Sequence, residues 1–381
     1  MGIKDLNPFL KKTMKYRPAE RQIPLTSFSG QPIAIDGHNW IYRHFMVSNK
    51  MVTQYTNVGS QEVDRKAVMT RLYNACLDTV IMFTNHGVVP VFVFDGDYPV
   101  EKAETQDKRR QERRQDRQEA AELQEKLNAM SPFDRSQEDI TRLKQLLSRS
   151  GYLDKKEIVD VANFLRGLGV PVLQAIGDAE QLCASMAKEG LVSAVYSEDT
   201  DNLVYGCPVL ITGFGDYYRD DTVGKNYRNV ICTVLDDILT DFEWSHQTFI
   251  DFCITLGCDF NNRVKGLGPV TAFRLINEFK TIESFPDRYD TSSLKASRCR
   301  EIFQHVKPTQ VIDDDKIPVR ASDLQLDKDL LESNGRMYLA ESDYGDFSQY
   351  YWRIKVSYET IAGPVTGKVH SFSFKKKIVR I

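Results

Sequence analysis

Residues 194–206, Ala-Val-Tyr-Ser-Glu-Asp-Thr-Asp-Asn-Leu-Val-Tyr-Gly, set a short apolar run directly against three carboxylates, Glu198, Asp199 and Asp201. Adjacent anions repel one another and resist burial unless a positive charge lies between them. The segment is therefore either a solvated loop or one wall of a divalent-cation site. Similar placements recur along the chain. Asp36 closes the run Gln31-Pro-Ile-Ala-Ile, Asp95 follows Val88-Val-Pro-Val-Phe-Val-Phe, and Asp178 and Glu180 follow Pro171-Val-Leu-Gln-Ala. Taken singly, an Asp after a strand is commonly a turn residue or a helix cap. Four strand exits that all deliver acids, two of them as pairs one residue apart, point instead to oxygen ligands for a hard cation such as Mg²⁺.

These acids need elements that end together. Short apolar runs predict strands over 31–36, 88–94, 171–175, 193–197 and 208–212. Apolar residues at three- and four-residue steps (Val68, Leu72, Cys76, Val80, Phe83) predict a helix over 61–86, and further helices are expected over 137–149, 157–168 and 179–188. This alternation specifies an α/β fold with a central, mostly parallel sheet flanked by helices. In such sheets ligands bind beyond the carboxyl ends of the strands. Asp36, Asp95, the Asp178/Glu180 pair and the Asp199/Asp201 pair all occupy that kind of position.

A charged insert leaves the chain just after Asp95. Residues 101–117 contain Lys102, Lys108, Arg109, Arg110, Arg113, Arg114 and Arg117, interspersed with Glu101, Glu104, Asp107, Glu112 and Asp116. On a helix, Lys102, Arg109, Arg110, Arg113 and Arg117 fall within about one third of the circumference. Two readings are open: a solvated helix laced with i,i+4 ion pairs, or a basic face over the acids that contacts phosphates. Further along, Val264-Lys-Gly-Leu-Gly-Pro-Val-Thr-Ala places Gly266 and Gly268 in a tight turn before a helix at 270–279. Glycines there permit positive φ angles and close approach of the backbone to a phosphate at the helix N-terminus.

Bulk properties exclude several classes. The 381 residues carry a net charge of −3, so any nucleic-acid surface must be local. No apolar run approaches the roughly 20 residues that span a bilayer. The start, Met1-Gly-Ile-Lys-Asp-Leu6-Asn, lacks a secretory apolar core and the hydroxyl residue that myristoylation expects at position 6. The seven cysteines show no C-x-x-C pair, which argues against structural zinc and for reduced thiols in an intracellular protein.

Taken in order, Met1-Gly-Ile-Lys-Asp-Leu, Ala34-Ile-Asp36-Gly, Val93-Phe-Asp95-Gly, Asp178-Ala-Glu180, Ser197-Glu-Asp199-Thr-Asp201, Leu256-Gly-Cys-Asp259 and the glycine turn at 265–272 resemble the flap endonuclease/xeroderma-group-G nuclease family over roughly residues 1–310. The resemblance implies a nuclease fold with a helical arch and a helix–hairpin–helix. It implies a phosphodiesterase that cuts DNA near single-strand/double-strand junctions with two divalent metals, Mg²⁺ or, in its place, Mn²⁺. By motif, Asp36, Asp95, Asp178 and Glu180 resemble the ligands of a first metal cluster, and Asp199, Asp201 and Asp259 those of a second. Lys102 and Arg109 match an arch Lys and Arg near the scissile phosphate. Tyr42 matches an aromatic that stacks on a base beside the cut, a core tyrosine being the other reading. DNA contacts are implied at Gly2, Arg110, Arg113, Lys265, Gly266 and Gly268, with K⁺ held at the helix–hairpin–helix. The chain departs from the pattern at Asp178, where relatives usually carry Glu, and at Cys258 and Phe260, where Ser and Tyr are common.

The expected organisation is a nuclease region at 1–100, an arch insert at 101–156, a second nuclease region at 157–240, a helix–turn–helix duplex-binding region at 241–310 and a tail at 311–381. Alternation of Trp352, Ile354, Val356 and Tyr358 predicts a β-hairpin in that tail. The tail lacks the Gln-x-x-aliphatic-x-x-aromatic-aromatic motif by which relatives bind the sliding clamp, so clamp recruitment is not expected. The expected activity is 5′ flap cleavage with 5′ exonuclease activity, by a monomer acting on flap, nicked or gapped DNA wherever DNA is replicated, with no membrane partner. A non-catalytic nucleic-acid-binding scaffold and a 5′ exoribonuclease are the alternatives.

Overall fold

A computed structural model of the chain describes residues 2–56, 63–96, 102–220 and 225–304, together with Leu324 and Asp327. The hairpin expected in the tail lies outside the described residues. The elements run α1 (Leu6–Thr13), β1 (Arg21–Pro24), β2 (Pro32–Asp36), α2 (Gly37–Tyr55), α3 (Arg65–Asn85), β3 (Val89–Phe94), α4 (Ala103–Ala129), α5 (Gln137–Arg149), α6 (Lys155–Gly167) and β4 (Val172–Gln174). They continue with α7 (Ala179–Lys188), β5 (Val195–Tyr196), α8 (Asp201–Val204), β6 (Val209–Asp220), β7 (Lys225–Val234), α9 (Leu235–Phe242), α10 (His246–Leu256), α11 (Pro269–Phe279) and α12 (Ala296–Gln304).

Among the described residues, seven strands form one sheet in the order β1-β7-β6-β5-β2-β3-β4. From β4 to β6 the neighbours are parallel; β7 and β1 add antiparallel at one edge. Every residue of β2 and β3 is buried, as central parallel strands covered on both faces require. The register sets Asp36 opposite Val93 and Ile35 opposite Tyr196, so β2, β3 and β5 release the chain side by side. This is the mostly parallel sheet that the apolar runs specify. β1 and β7 escape that reading. β1 is a four-residue edge with one Arg and a Pro, and β7 opens on polar residues held by pairing with β6 rather than by an apolar face.

Local signals fix the helix ends. Asp64 caps α3, Ser136 caps α5, and Asp154 with Glu157 forms a capping box on α6. α4 is charged along most of its length. Its Ala120 and Leu127 pack on Leu143 and Leu146 of α5 as a small core separate from the main one. The C-terminal helices are tied to α1 by rings: Phe9 lies 5.2 Å from Phe252 and 5.3 Å from Phe273. Arg300 of α12 donates to both oxygens of the buried Asp251 of α10 at 2.6 Å. No helix among the described residues is long and apolar enough to cross a membrane.

Candidate metal centre

Each acid owes its place to a strand end or a helix start. Asp36 closes β2 and caps α2, its Oδ1 accepting the Asn39 N–H at 3.1 Å. Asp95 follows β3, and its Oδ1 accepts the Ala179 N–H at the start of α7 at 2.7 Å. Gly96 donates its N–H to the Gly177 carbonyl at 2.8 Å, and a Cβ at Gly96 would lie 2.1 Å from the Ala175 carbonyl oxygen. The β3 and β4 exits are thus held at a backbone approach that a side chain would prevent. Asp178 is the N-cap residue of α7, and Glu180 sits in its first turn. Asp201 opens α8 and donates its N–H to Asp199 Oδ1 at 3.1 Å. Asp259 follows α10. Glu198 turns outward, half-exposed, in an ion pair with Arg43 at 2.7 Å.

Glu180, Asp199 and Asp201 each offer a carboxylate oxygen within 4.8 Å of the others. Burial, then the charges of Asp95 and Asp199, push Asp36 up to about 7. Burial and the charges of Asp199, Asp201 and Asp36 hold Glu180 well above the usual carboxylate range. Burial and Asp199 do the same to Asp201. Asp178 is raised by burial, with Asp95 and Asp259 adding and Lys102 opposing. The strand-exit acids and Asp259, with Glu198 the exception, therefore share one electrostatic neighbourhood. The division into two sets is not sharp, because Glu180 gathers with Asp199 and Asp201. α7 packs against both β2 and β5, which carries its first turn to the β5 exit. Asp178 Oδ1 and Asp201 Oδ1 are buried with no hydrogen-bond partner among the described residues. Hard oxygen donors with unused lone pairs, gathered in a buried site, fit a divalent cation.

The insert returns over this edge. Lys102 is buried, its Nζ 2.9 Å from Asp178 Oδ2, 3.5 Å from Glu180 Oε2 and 5.4 Å from the centre of the Phe260 ring. Burial works against its charge, but Glu180 and Asp178 overcome this and hold the ammonium well above its ordinary range. Seven residues on, Arg109 Nη2 lies 3.3 and 3.2 Å from the two oxygens of Asp259. Between them, Thr105 Oγ1 donates to the Asp259 carbonyl at 3.2 Å. The first turns of α4 are thus seated on the acids. Tyr42 of α2 is partly buried. Burial raises its hydroxyl, and the positive charge of Arg113 of α4 opposes this. Arg110 pairs with Asp107 at 3.5 Å. Gly2 lies against the same edge, at φ +87° and with its Cβ position 2.1 Å from Asp199 Oδ1. Lys265, Gly266 and Gly268 stand apart, in the turn before α11. Gly266 has φ +81°, and Gly268 is the N-cap residue of α11.

Residue-by-residue reading of the sequence passes over two side chains at the centre. Ser197 is buried, its hydroxyl 3.1 Å from Asp36 Oδ2. His38 Nδ1 lies 2.9 Å from the Asp95 backbone nitrogen and 3.2 Å from Asp95 Oδ2. The Ser197-x-Asp199-x-Asp201 spacing was the available signal for the first. For the second there was only its place two residues after Asp36.

Fold and site together define a class of α/β protein: a parallel sheet whose carboxyl edge gathers acids suited to divalent cations, with a basic helix folded across it. The XPG N-terminal domain profile matches residues 1–117 and the XPG I-region profile matches residues 169–259. Flap endonuclease 1 of Entamoeba dispar is 30% identical over 311 residues, which cover 80% of this chain and 76% of that protein. Flap endonuclease 1 of Cryptosporidium muris is 32% identical over 311 residues, 80% of this chain but 62% of that longer relative. The chain belongs to the flap endonuclease/XPG family. Its fold is similar to the solved flap endonuclease-1 from Methanococcus jannaschii, with a TM-score of 0.57 at 23% identity over 90% of this chain and 96% of that one.

Proposed function

We propose that the chain is a structure-specific 5′ nuclease that hydrolyses DNA phosphodiester bonds at single-strand/double-strand junctions, a reading that the name flap endonuclease, borne by its relatives, supports. The observation that carries this reading is the cluster of buried and half-buried carboxylates, two with unpartnered oxygens, held by ion pairs to Lys102 and Arg109 at the start of α4. Asp36, Asp95, Asp178, Glu180, Asp199, Asp201 and Asp259 would hold two Mg²⁺ ions, for which Mn²⁺ can substitute. When bound, these supply the Lewis acidity that activates water and offsets charge on the phosphate. Lys102 and Arg109 exchange their carboxylate partners for phosphate oxygens and stabilise the negative charge that grows there. Tyr42 stacks on a base beside the cut, and Gly2, Arg110 and Arg113 orient the strand. Lys265 and the turn at Gly266 and Gly268 grip the duplex by its phosphates, with K⁺ held there and no base read. In this reading 1–100 and 157–240 form the nuclease body, 101–156 the arch and 241–310 the duplex-binding region.

Digestion of labelled flap, nick, gap and four-way-junction DNAs, and of an RNA flap of the same shape, tests this. The expected result is Mg²⁺-dependent incision of the DNA flap at its junction. Tight binding without cleavage would support a scaffold instead, and preference for RNA a 5′ exoribonuclease.

A further inference from the structure

The hydroxyl of Ser197 stands between two of the acids. It donates to Asp36 Oδ2 at 3.1 Å, and it accepts the Asp199 N–H at 3.0 Å. Asp36 Oδ1 takes the Asn39 N–H at 3.1 Å, and Asp199 Oδ1 takes the Asp201 N–H at 3.1 Å. One hydrogen-bonded chain therefore runs from α2 through Asp36, Ser197 and Asp199 to Asp201. It crosses between the exits of β2 and β5, from positions 161 residues apart in sequence. A serine that merely closes a turn on the N–H two residues ahead needs no such partner, because its proton can face any nearby acceptor. Here Asp36 and Ser197 are both buried, so the proton has a fixed destination. The bond engages one Asp36 lone pair and restrains the orientation of the carboxylate.

We infer that Ser197 is a positioning residue for the metal centre: it sets the carboxylate of Asp36 and the backbone of Asp199 in register before any cation arrives. The inference rests on the metal-site reading of the acids. Partners of this kind, which orient ligands without touching the ion, typically contribute about ten- to a hundredfold to metal affinity.

The test is Mn²⁺ affinity of the full chain without DNA, measured by the loss of the free-ion electron paramagnetic resonance signal, alongside thermal melting in EDTA. Ser197→Ala is expected to weaken Mn²⁺ binding at least about tenfold, while Ser197→Thr, which keeps the hydroxyl, stays within about threefold of wild type. Should the alanine variant fail to fold, Ser197→Cys carries the test, since a thiol of similar size is a far weaker donor and acceptor. A purely structural serine would lower melting in EDTA and leave Mn²⁺ affinity alone; that outcome overturns the inference. So does a threonine variant that binds as poorly as the alanine one. Asp201→Asn separates the two levels. If it weakens Mn²⁺ binding and Ser197→Ala does not, the positioning role fails and the metal site stands. If neither changes Mn²⁺ binding, both fail.

Discussion

Lys102 is a positive charge set between Asp178 and Glu180 and against the Phe260 ring. Taking one partner from a buried ion pair leaves the other uncompensated. Lys102→Met is therefore expected to lose about 3 kcal/mol of stability in EDTA at pH 8, read from urea unfolding, with Mn²⁺ restoring most of it. In cleavage, Lys102→Ala and Arg109→Ala should each slow the single-turnover step about a hundredfold or more, with duplex affinity little changed. Equal losses in rate and affinity would reduce both to a plain phosphate grip. Asp36 sets a pH signature. Its carboxyl is pushed from 3.8 to about 7 in the folded chain, so between those values the folded state keeps a proton that the unfolded chain has released. The stability this contributes is complete below pH 3.8 and is lost as pH rises to about 7. Melting in EDTA should thus fall more steeply across that window in wild type than in Asp36→Asn. Divalent binding, which needs the carboxylate, should tighten over the same range.

At the level of elements, α4 joins two messages that its composition carries separately. Its basic periodicity is plain in sequence. That its first turns sit on the acids is not, because Lys102, Thr105 and Arg109 find partners at Asp178, Glu180 and Asp259, which only the tertiary fold brings near. The same limit hides Ser197, whose acceptor lies on another strand exit. Asp36, Asp95, Asp199 and Asp201 were legible because buried apolar runs precede them, and the Asp178/Glu180 pair because it follows the half-buried run of β4, parallel strands releasing their chains at one edge; Asp259, which follows α10, was reached only through the family resemblance. The turn before α11 offers an independent check. Lys265→Ala should weaken duplex binding by a similar factor for every DNA sequence and lower the slope of log affinity against log salt by about 1. A loss confined to one sequence would mean base reading instead of a backbone grip.

Across the whole molecule, the central sheet follows from sequence wherever burial dictates it. β2 up to its closing Asp36, and β3 throughout, are apolar; both strands are buried along their whole length and lie where the apolar runs place them. The outer strands were hidden for the opposite reason. β1 carries Arg21 and Pro24, and β7 begins Lys-Asn-Tyr-Arg-Asn, so their polar openings hid them, although Val230 and Cys232 in the second half of β7 are buried in the core. The sheet exists, in this account, to deliver acids from distant parts of the chain to one edge, where divalent ions join them to hydrolyse a nucleic-acid backbone. Anomalous scattering from crystals grown with Mn²⁺ tests that claim most directly. Two manganese peaks about 3.5–4 Å apart are expected, surrounded by Asp36, Asp95, Asp178, Glu180, Asp199, Asp201 and Asp259. A map with no peak among these carboxylates, or with manganese bound only elsewhere, would contradict it.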